Sequence, residues 1–247
     1  MSGHSKWSTI KRKKGSLDAK RSQMFTRVVK EIMVAVKVGG GGDADANSRL
    51  RIAIQNAKGV NMPKENIQRA IAKAEGGETL DECTFEGYGP CAIPVFVECL
   101  TNNTNRTIKN IRLIFSKHGG NVGNNGSLRF VFQRKGVFEI AKTNVKMSND
   151  DFEMALIDAG VEDVEYENET VVVVCSFEDF GSVQKKLDDL KIEVAKAELQ
   201  RIPNEYKMLP LEDALRVMKF IDALEDDEDV TMVFHCLEMT DELANEL

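Results

Sequence analysis

Long apolar runs are missing from this 247-residue sequence: the longest, Ile32 to Val36 and Val171 to Cys175, hold about five residues each. A helical bilayer span takes about 20, so a helical membrane protein is excluded. Cysteine is scarce too. The five, at 83, 91, 99, 175 and 236, form no C-x-x-C pair, which argues against a zinc ribbon or disulfide framework and leaves reduced thiols that pack. The three histidines, at 4, 118 and 235, are too scattered for H-E-x-x-H or a facing metal pair, and no G-x-S-x-G or cysteine-nucleophile signature occurs. Gly120-x-x-Gly123-x-x-Gly126 lacks the Lys-Ser/Thr of a Walker loop and reads as a glycine-shaped turn. No catalytic residue, metal or cofactor is therefore expected, and the chain does not read as an enzyme. Basic residues at the N-terminus precede no apolar stretch and glycine stands third, so neither secretion nor myristoylation is expected and a cytoplasmic location is.

What is present is charge, unevenly spread. The net charge is −7, yet residues 1–78 hold 16 Lys and Arg against 7 Asp and Glu, while the remainder holds 17 against 33. Between Glu98 and Glu139 there is no carboxylate, only Arg106, Lys109, Arg112, Lys117, Arg129, Arg134 and Lys135. Cations concentrated in two segments are the footprint of a polyanion, because phosphate contacts release condensed counterions whatever the base sequence.

With 42% hydrophobic residues the chain can bury two or three small cores. Residues 1–16 are polar and aperiodic and read as an arm that needs a partner to order it. Apolar residues at three- and four-residue spacing then predict helices from Leu17 to the glycines at 39–42, from before Leu50 to Gly59, and from Pro63 to Gly76, with the glycine run read as a flexible joint. Beyond Thr79 come strands at 83–86 and 93–100, a helix at 104–118 and a strand at 128–133. Residues 136–202 read strand, helix, strand, strand, helix, strand, a ferredoxin-like βαββαβ order. A helix bearing Leu211 to Leu224 and a strand at 230–235 follow. The expectation is an α+β protein: a basic arm plus three-helix domain (1–79), a discontinuous ferredoxin-like α/β domain (80–133 and 207–247), and a second ferredoxin-like domain inserted in it (134–206).

The arm interleaves Lys6, Lys11, Arg12, Lys13 and Lys14 with Trp7, which can stack on an unpaired base, and Lys20, Arg21 and Arg27 extend the charge along the first helix. In Thr101 to Thr107, a strand end meets a helix start whose first turn carries Arg106 and Lys109 where the helix dipole favours acids. With Asn103 and Asn105 beside them, nothing local offsets these cations, and an external anion is expected. The cluster Glu225 to Asp229 reads either as ordinary solvated carboxylates or as a Mg²⁺ ligand set. Helices at 47–58 and 63–75 resemble a helix-turn-helix, with Asn66, Gln68, Arg69 and Lys73 available to a groove and Glu65 and Glu75 interrupting that face.

Several segments together carry a family resemblance. Gly3-His4-Ser5-Lys6-Trp7, Asp18-x-Lys20-Arg21-x-x-x-Phe25, Asn61-Met62-Pro63-Lys64, Glu86-Gly87-Tyr88-Gly89-Pro90, Thr101 to Thr107, Gly119 to Ser127, Asp158-Ala159-Gly160 and Leu224-Glu225-Asp226 are similar to the YebC/PmpR-like family over essentially the whole chain. The motif intact from Met1 argues for a bacterial member. Departures are Asn102, where an aspartate is usual, and Cys91-Ala92, where glycines are usual. The resemblance implies three domains and a nucleic-acid-binding regulator of gene expression. Some members are described as DNA-binding transcriptional regulators, others as ribosome-associated factors that relieve stalls at proline-rich stretches, and mitochondrial relatives activate translation of an oxidase subunit. DNA or ribosomal RNA of the large subunit, with basic ribosomal proteins, are the partners so implied.

Overall fold

The structure, a computed structural model, describes residues 17–247, with side chains from residue 23 onward. Helices α1 (Leu17–Val38), α2 (Ser48–Gly59) and α3 (Lys64–Glu75) come first. Their apolar faces close one small core around Val28, Ile32, Leu50, Ala57, Ile67 and Ala70. Asn47 caps α2 by accepting from Leu50 N at 3.0 Å, and its amide donates to the carbonyls of Ala35 and Gly41. The glycines at 39–42 are thus a bonded corner rather than the flexible joint expected. Gly39 N and Gly41 N also return to Ala35 and Val36 carbonyls, and a Cβ at Gly39 would stand 2.1 Å from Asn47 Oδ1.

Strands β1 (Asp81–Tyr88) and β2 (Pro94–Thr101) form a central antiparallel hairpin in the first sheet. Its edges are β3 (Asn121–Val122) and β8 (Val230–His235), in the order β3-β1-β2-β8. Helices α4 (Thr104–Lys117) and α7 (Leu211–Glu225) cover one face, where Phe115 and Phe220 meet edge to face at 4.9 Å among Ile93, Val97, Ile111 and Ile221. Each such buried side chain contributes about 1.5–3 kcal/mol. The second sheet, β5-β6-β4-β7, is built from β4 (Phe132–Ala141), α5 (Asn149–Ile157), β5 (Val161–Tyr166), β6 (Thr170–Ser176), α6 (Phe180–Asp189) and β7 (Val194–Pro203). That succession is βαββαβ, with Phe138, Ile140, Phe152, Leu156, Val173 and Leu187 between sheet and helices. The α+β architecture of three helices followed by two four-stranded antiparallel sheets is therefore the observed one. The first sheet reaches four strands by its own route, with the hairpin central and its last strand drawn from beyond the second sheet.

Three local differences from the sequence reading have physical causes. The segment expected as a strand at 128–133 is mostly turns, with Arg129 N bonded to Gly126 O and Val131 N to Leu128 O, before β4 begins at Phe132. Buried Leu128 and Phe132 imitate a strand's apolar spacing, but Leu128 N is held by the Glu86 carboxylate. Strand β4 then runs unbroken to Ala141 through Gly136, where the Phe180 ring and Cys175 Sγ occupy the space a side chain would need, so the glycine is a packing residue rather than a strand end. Strand β3 and the final helix α8 (Asp241–Glu246) are too short to leave a periodic signal.

The helical unit is joined to both sheets. Strand β7 is an edge, and Asn56 of α2 takes the place of a neighbouring strand by donating to Ala197 O at 2.8 Å and accepting from Ala197 N at 2.9 Å. Gln55 donates to Val194 O. A Cβ at Gly59 would lie 2.2 Å from Ala195 O, so glycine there sets how closely α2 can approach.

Candidate nucleic-acid interface

The acidic segment 225–229 organises one end of the molecule. Asp229, 2% exposed, accepts from Arg106 Nη2 at 2.8 Å, Thr107 Oγ1 at 2.9 Å and Lys30 Nζ at 3.2 Å. Burial works against its charged form, but the bonds from Arg106, Thr107 and Lys30 outweigh it and hold the carboxyl below its usual range. Lys30 also donates to the carbonyls of Leu100 and Glu228, Asn110 to Asp227 Oδ2, and Gln23 to Asp226 Oδ1. Arg27 donates to Glu225 O at 2.9 Å, supplying a cation to the C-terminal end of α7.

One expectation is corrected by this arrangement. Of the cations at the start of α4, Arg106 is not left without an offset: it is held in three contacts by an aspartate 123 positions away. Asp226, Asp227 and Asp229 turn toward cations and amides of the protein itself, and no group of three or more metal-binding side chains occurs among the described residues. Asn103 serves as the N-cap of α4, accepting from Arg106 N at 3.1 Å. Asn102, at the position where the resemblance leads one to expect aspartate, accepts from Arg106 Nη2 at 3.4 Å.

Other cations remain on display. Asn105, Lys109, Arg112 and Lys117 are exposed along α4, and no carboxylate among the described residues is bridged to Lys109, Arg112 or Lys117. Of the remaining expected site residues, Lys20 and Arg21 fall in the first two turns of α1. The bonds of Gln23, Arg27 and Lys30 run from α1 to the same 225–229 corner that receives Arg106. The fold therefore brings α1 and the N-terminus of α4 together, a proximity no sequence spacing announced. Lys6, Trp7, Lys11, Arg12, Lys13 and Lys14 lie outside the described residues. On α3, Gln68 and Arg69 are exposed, whereas Lys73 pairs with Glu78 at 2.9 Å.

Glu31 is a functional-looking group that sequence reasoning missed. It faces β7, where Lys196 and Glu198 pair at 2.7 Å. Burial, reinforced by the Glu198 carboxylate and opposed by Lys196, Arg27 and Arg49, pushes its carboxyl up to about 7. Strand β7 is 165 residues distant in sequence, so no local signal could have found it.

Cys91 and Ala92, which stand where the resemblance leads one to expect glycine, have φ of 57° and 54°. This left-handed backbone favours glycine, and it explains the residue type usual there.

The fold defines an α+β protein of three helices followed by two four-stranded antiparallel sheets, with cations displayed along α4. Profiles described as the TACO1/YebC protein N-terminal domain and the TACO1/YebC second and third domain match residues 5–77 and 80–237. The chain belongs to the TACO1/YebC family. A relative from Amoebophilus asiaticus, named a probable transcriptional regulatory protein, is 48% identical over 95% of this chain and 97% of its own length. One of the same name from Anoxybacillus flavithermus is 44% identical over 96% and 98%. The crystal structure of a conserved hypothetical protein from Aquifex aeolicus matches with a TM-score of 0.82 and 37% identity, over 97% of this chain and 99% of that one.

Proposed function

We propose that the protein is a cytoplasmic, non-enzymatic regulator of gene expression that binds nucleic acid through its amino-terminal third together with the outer face of α4. The observation that carries this reading is that Lys109, Arg112 and Lys117 stand exposed on a helix whose N-terminus adjoins α1, and that in the sequence α1 is preceded by Lys6, Trp7 and Lys11 to Lys14. The names of the relatives favour transcription and hence a DNA partner. A ribosomal partner, through RNA of the large subunit and its basic proteins, is the alternative, and one structural observation weighs against helix-turn-helix docking on DNA. In a helix-turn-helix the first helix crosses the DNA backbone, whereas α2 here is bonded along β7 through Gln55 and Asn56. No helix among the described residues is long and apolar enough to cross a membrane.

Binding should fall with salt at a log-log slope of about −4 to −7 if about 5 to 8 phosphates are contacted. Charge reversal at Lys11, Arg12 and Lys13 should flatten that slope on both duplex DNA and ribosomal RNA. An unchanged slope and affinity would remove the arm from the interface. Comigration with the large ribosomal subunit in nuclease-treated lysate would defeat a promoter-only role, and absence from ribosomal fractions would defeat the ribosomal one.

A further inference from the structure

Phe130 is 83% exposed, an orientation that leaves a large apolar ring in water where burial would be favoured. The exposure is built, not frayed. Its neighbours Leu128 and Phe132 are buried in the cluster that contains Phe96 and Phe234. Glu86, itself 6% exposed, accepts from Gly126 N at 2.7 Å and Leu128 N at 2.6 Å. On the other side Asn204 donates to Phe130 O at 2.7 Å, and Asn204 N to Val131 O. The ring is thus presented on a loop pinned by Glu86 of β1 and by Asn204, the residue that follows β7.

Two cations lie against the exposed rings of this surface. The Arg129 guanidinium lies 5.4 Å from the Phe130 ring centre. Four residues further on, Arg134 lies 4.0 Å over the ring of Phe177, itself 39% exposed. Arg134 sits opposite Arg201 across β4 and β7. Glu98, Glu178 and Glu82 lie near enough to act on the Arg134 charge; Glu98 is engaged by Arg201 at 2.9 Å and Glu82 by Arg49, and among the described residues no carboxylate is bridged to Arg134. Partial burial and the neighbouring Arg201 hold the Arg134 guanidinium below its usual pKa. Exposed Asn124, Asn125 and Ser127 complete the loop with amides and a hydroxyl.

We infer that the 124–134 loop and Phe177 form a second nucleic-acid contact, selective for single strands, in which Phe130 stacks on an unpaired base while Arg129 and Arg134 take the flanking phosphates. A duplex keeps its bases stacked inside and offers this ring nothing, so the surface discriminates where the arm's cations do not. The inference rests on the nucleic-acid reading above and adds a preference to it.

The test uses the full-length protein and two fluorescent probes, an unstructured oligouridylate and a duplex of equal length. Phe130→Ala should weaken oligouridylate binding roughly 5- to 100-fold, the range that follows from losing one stacked base. Duplex affinity should stay within about twofold, and Phe130→Trp should retain single-strand binding. Oligouridylate affinity unchanged by Phe130→Ala, or both affinities lowered equally, overturns the single-strand contact while leaving the arm's role intact. Wild-type protein that binds neither probe overturns both readings. If Phe130→Ala spares RNA and instead abolishes association with a protein, the surface is a protein-docking one and the inference falls.

Discussion

Two corners of this molecule use the same residue types to opposite ends. Around residues 225–229, Lys30 and Arg106 spend their charge on Asp229, and Arg27 closes the end of α7. Around residues 124–134, Arg129 and Arg134 lie on phenylalanine rings with no described carboxylate bridged to either. The first corner fastens the helical unit and α4 to the first sheet. The second leaves its cations available to solvent and ligand. A positive residue in a sequence is therefore not yet a binding residue: what matters is whether folding brings an acid to it.

The contrast can be broken most forcefully at its buried centre. Asp229→Asn should cost about 3 kcal/mol, chiefly because Lys30, largely buried, loses its charged partner, whereas the part-exposed Arg106 is compensated by solvent. Urea denaturation reads the loss, and a change below about 1 kcal/mol would mean that the corner does not fasten the units.

Glu31 gives the next effect, and one with a direction in pH. Its folded value of about 7 lies above the ordinary 4.5. The stability contributed by the neutral carboxyl is therefore complete below about pH 4.5 and lost as pH rises through about 7, by at most about 2–3 kcal/mol. Glu31→Gln should flatten the stability profile between pH 5 and 8 and raise the urea midpoint at pH 8; an unaltered profile would remove Glu31 from the pH response.

Arg27→Ala should cost about 1 kcal/mol through the lost bond to the end of α7. The smallest change belongs to the displayed cations. Replacing Lys109 and Arg112 together by alanine should move stability by no more than about 0.5 kcal/mol while reducing the salt slope of nucleic-acid binding by about 2. A large loss of stability from that pair, seen in the same urea titration, would erase the distinction between the corners.

Much of this was legible residue by residue. The ends of α1, α2 and α3 coincide with Gly39, Gly59 and Gly76, because a helix announces itself by its apolar period and its stop residues. The βαββαβ succession of the second sheet could be read for the same reason. The turns before β4 could not, since Leu128 and Phe132 are spaced like strand residues while the backbone between them answers to Glu86, about forty positions earlier. At the candidate site the sequence marked Arg106 and Lys109 as equivalent, three residues apart on one helix. The structure separates them, one bound to Asp229 and the other exposed.

The sequence by itself determined where helices and strands form, how unevenly charge is distributed, and the family to which the motifs point, because these depend on neighbours within a few positions. Only the tertiary structure decided which cations are consumed and which are offered, that Glu31 faces a distant glutamate, and that Phe130 stays in water on a pinned loop. Those outcomes depend on pairings between residues from about forty to about two hundred positions apart, and electrostatic and packing energies act through space with no regard for separation along the chain.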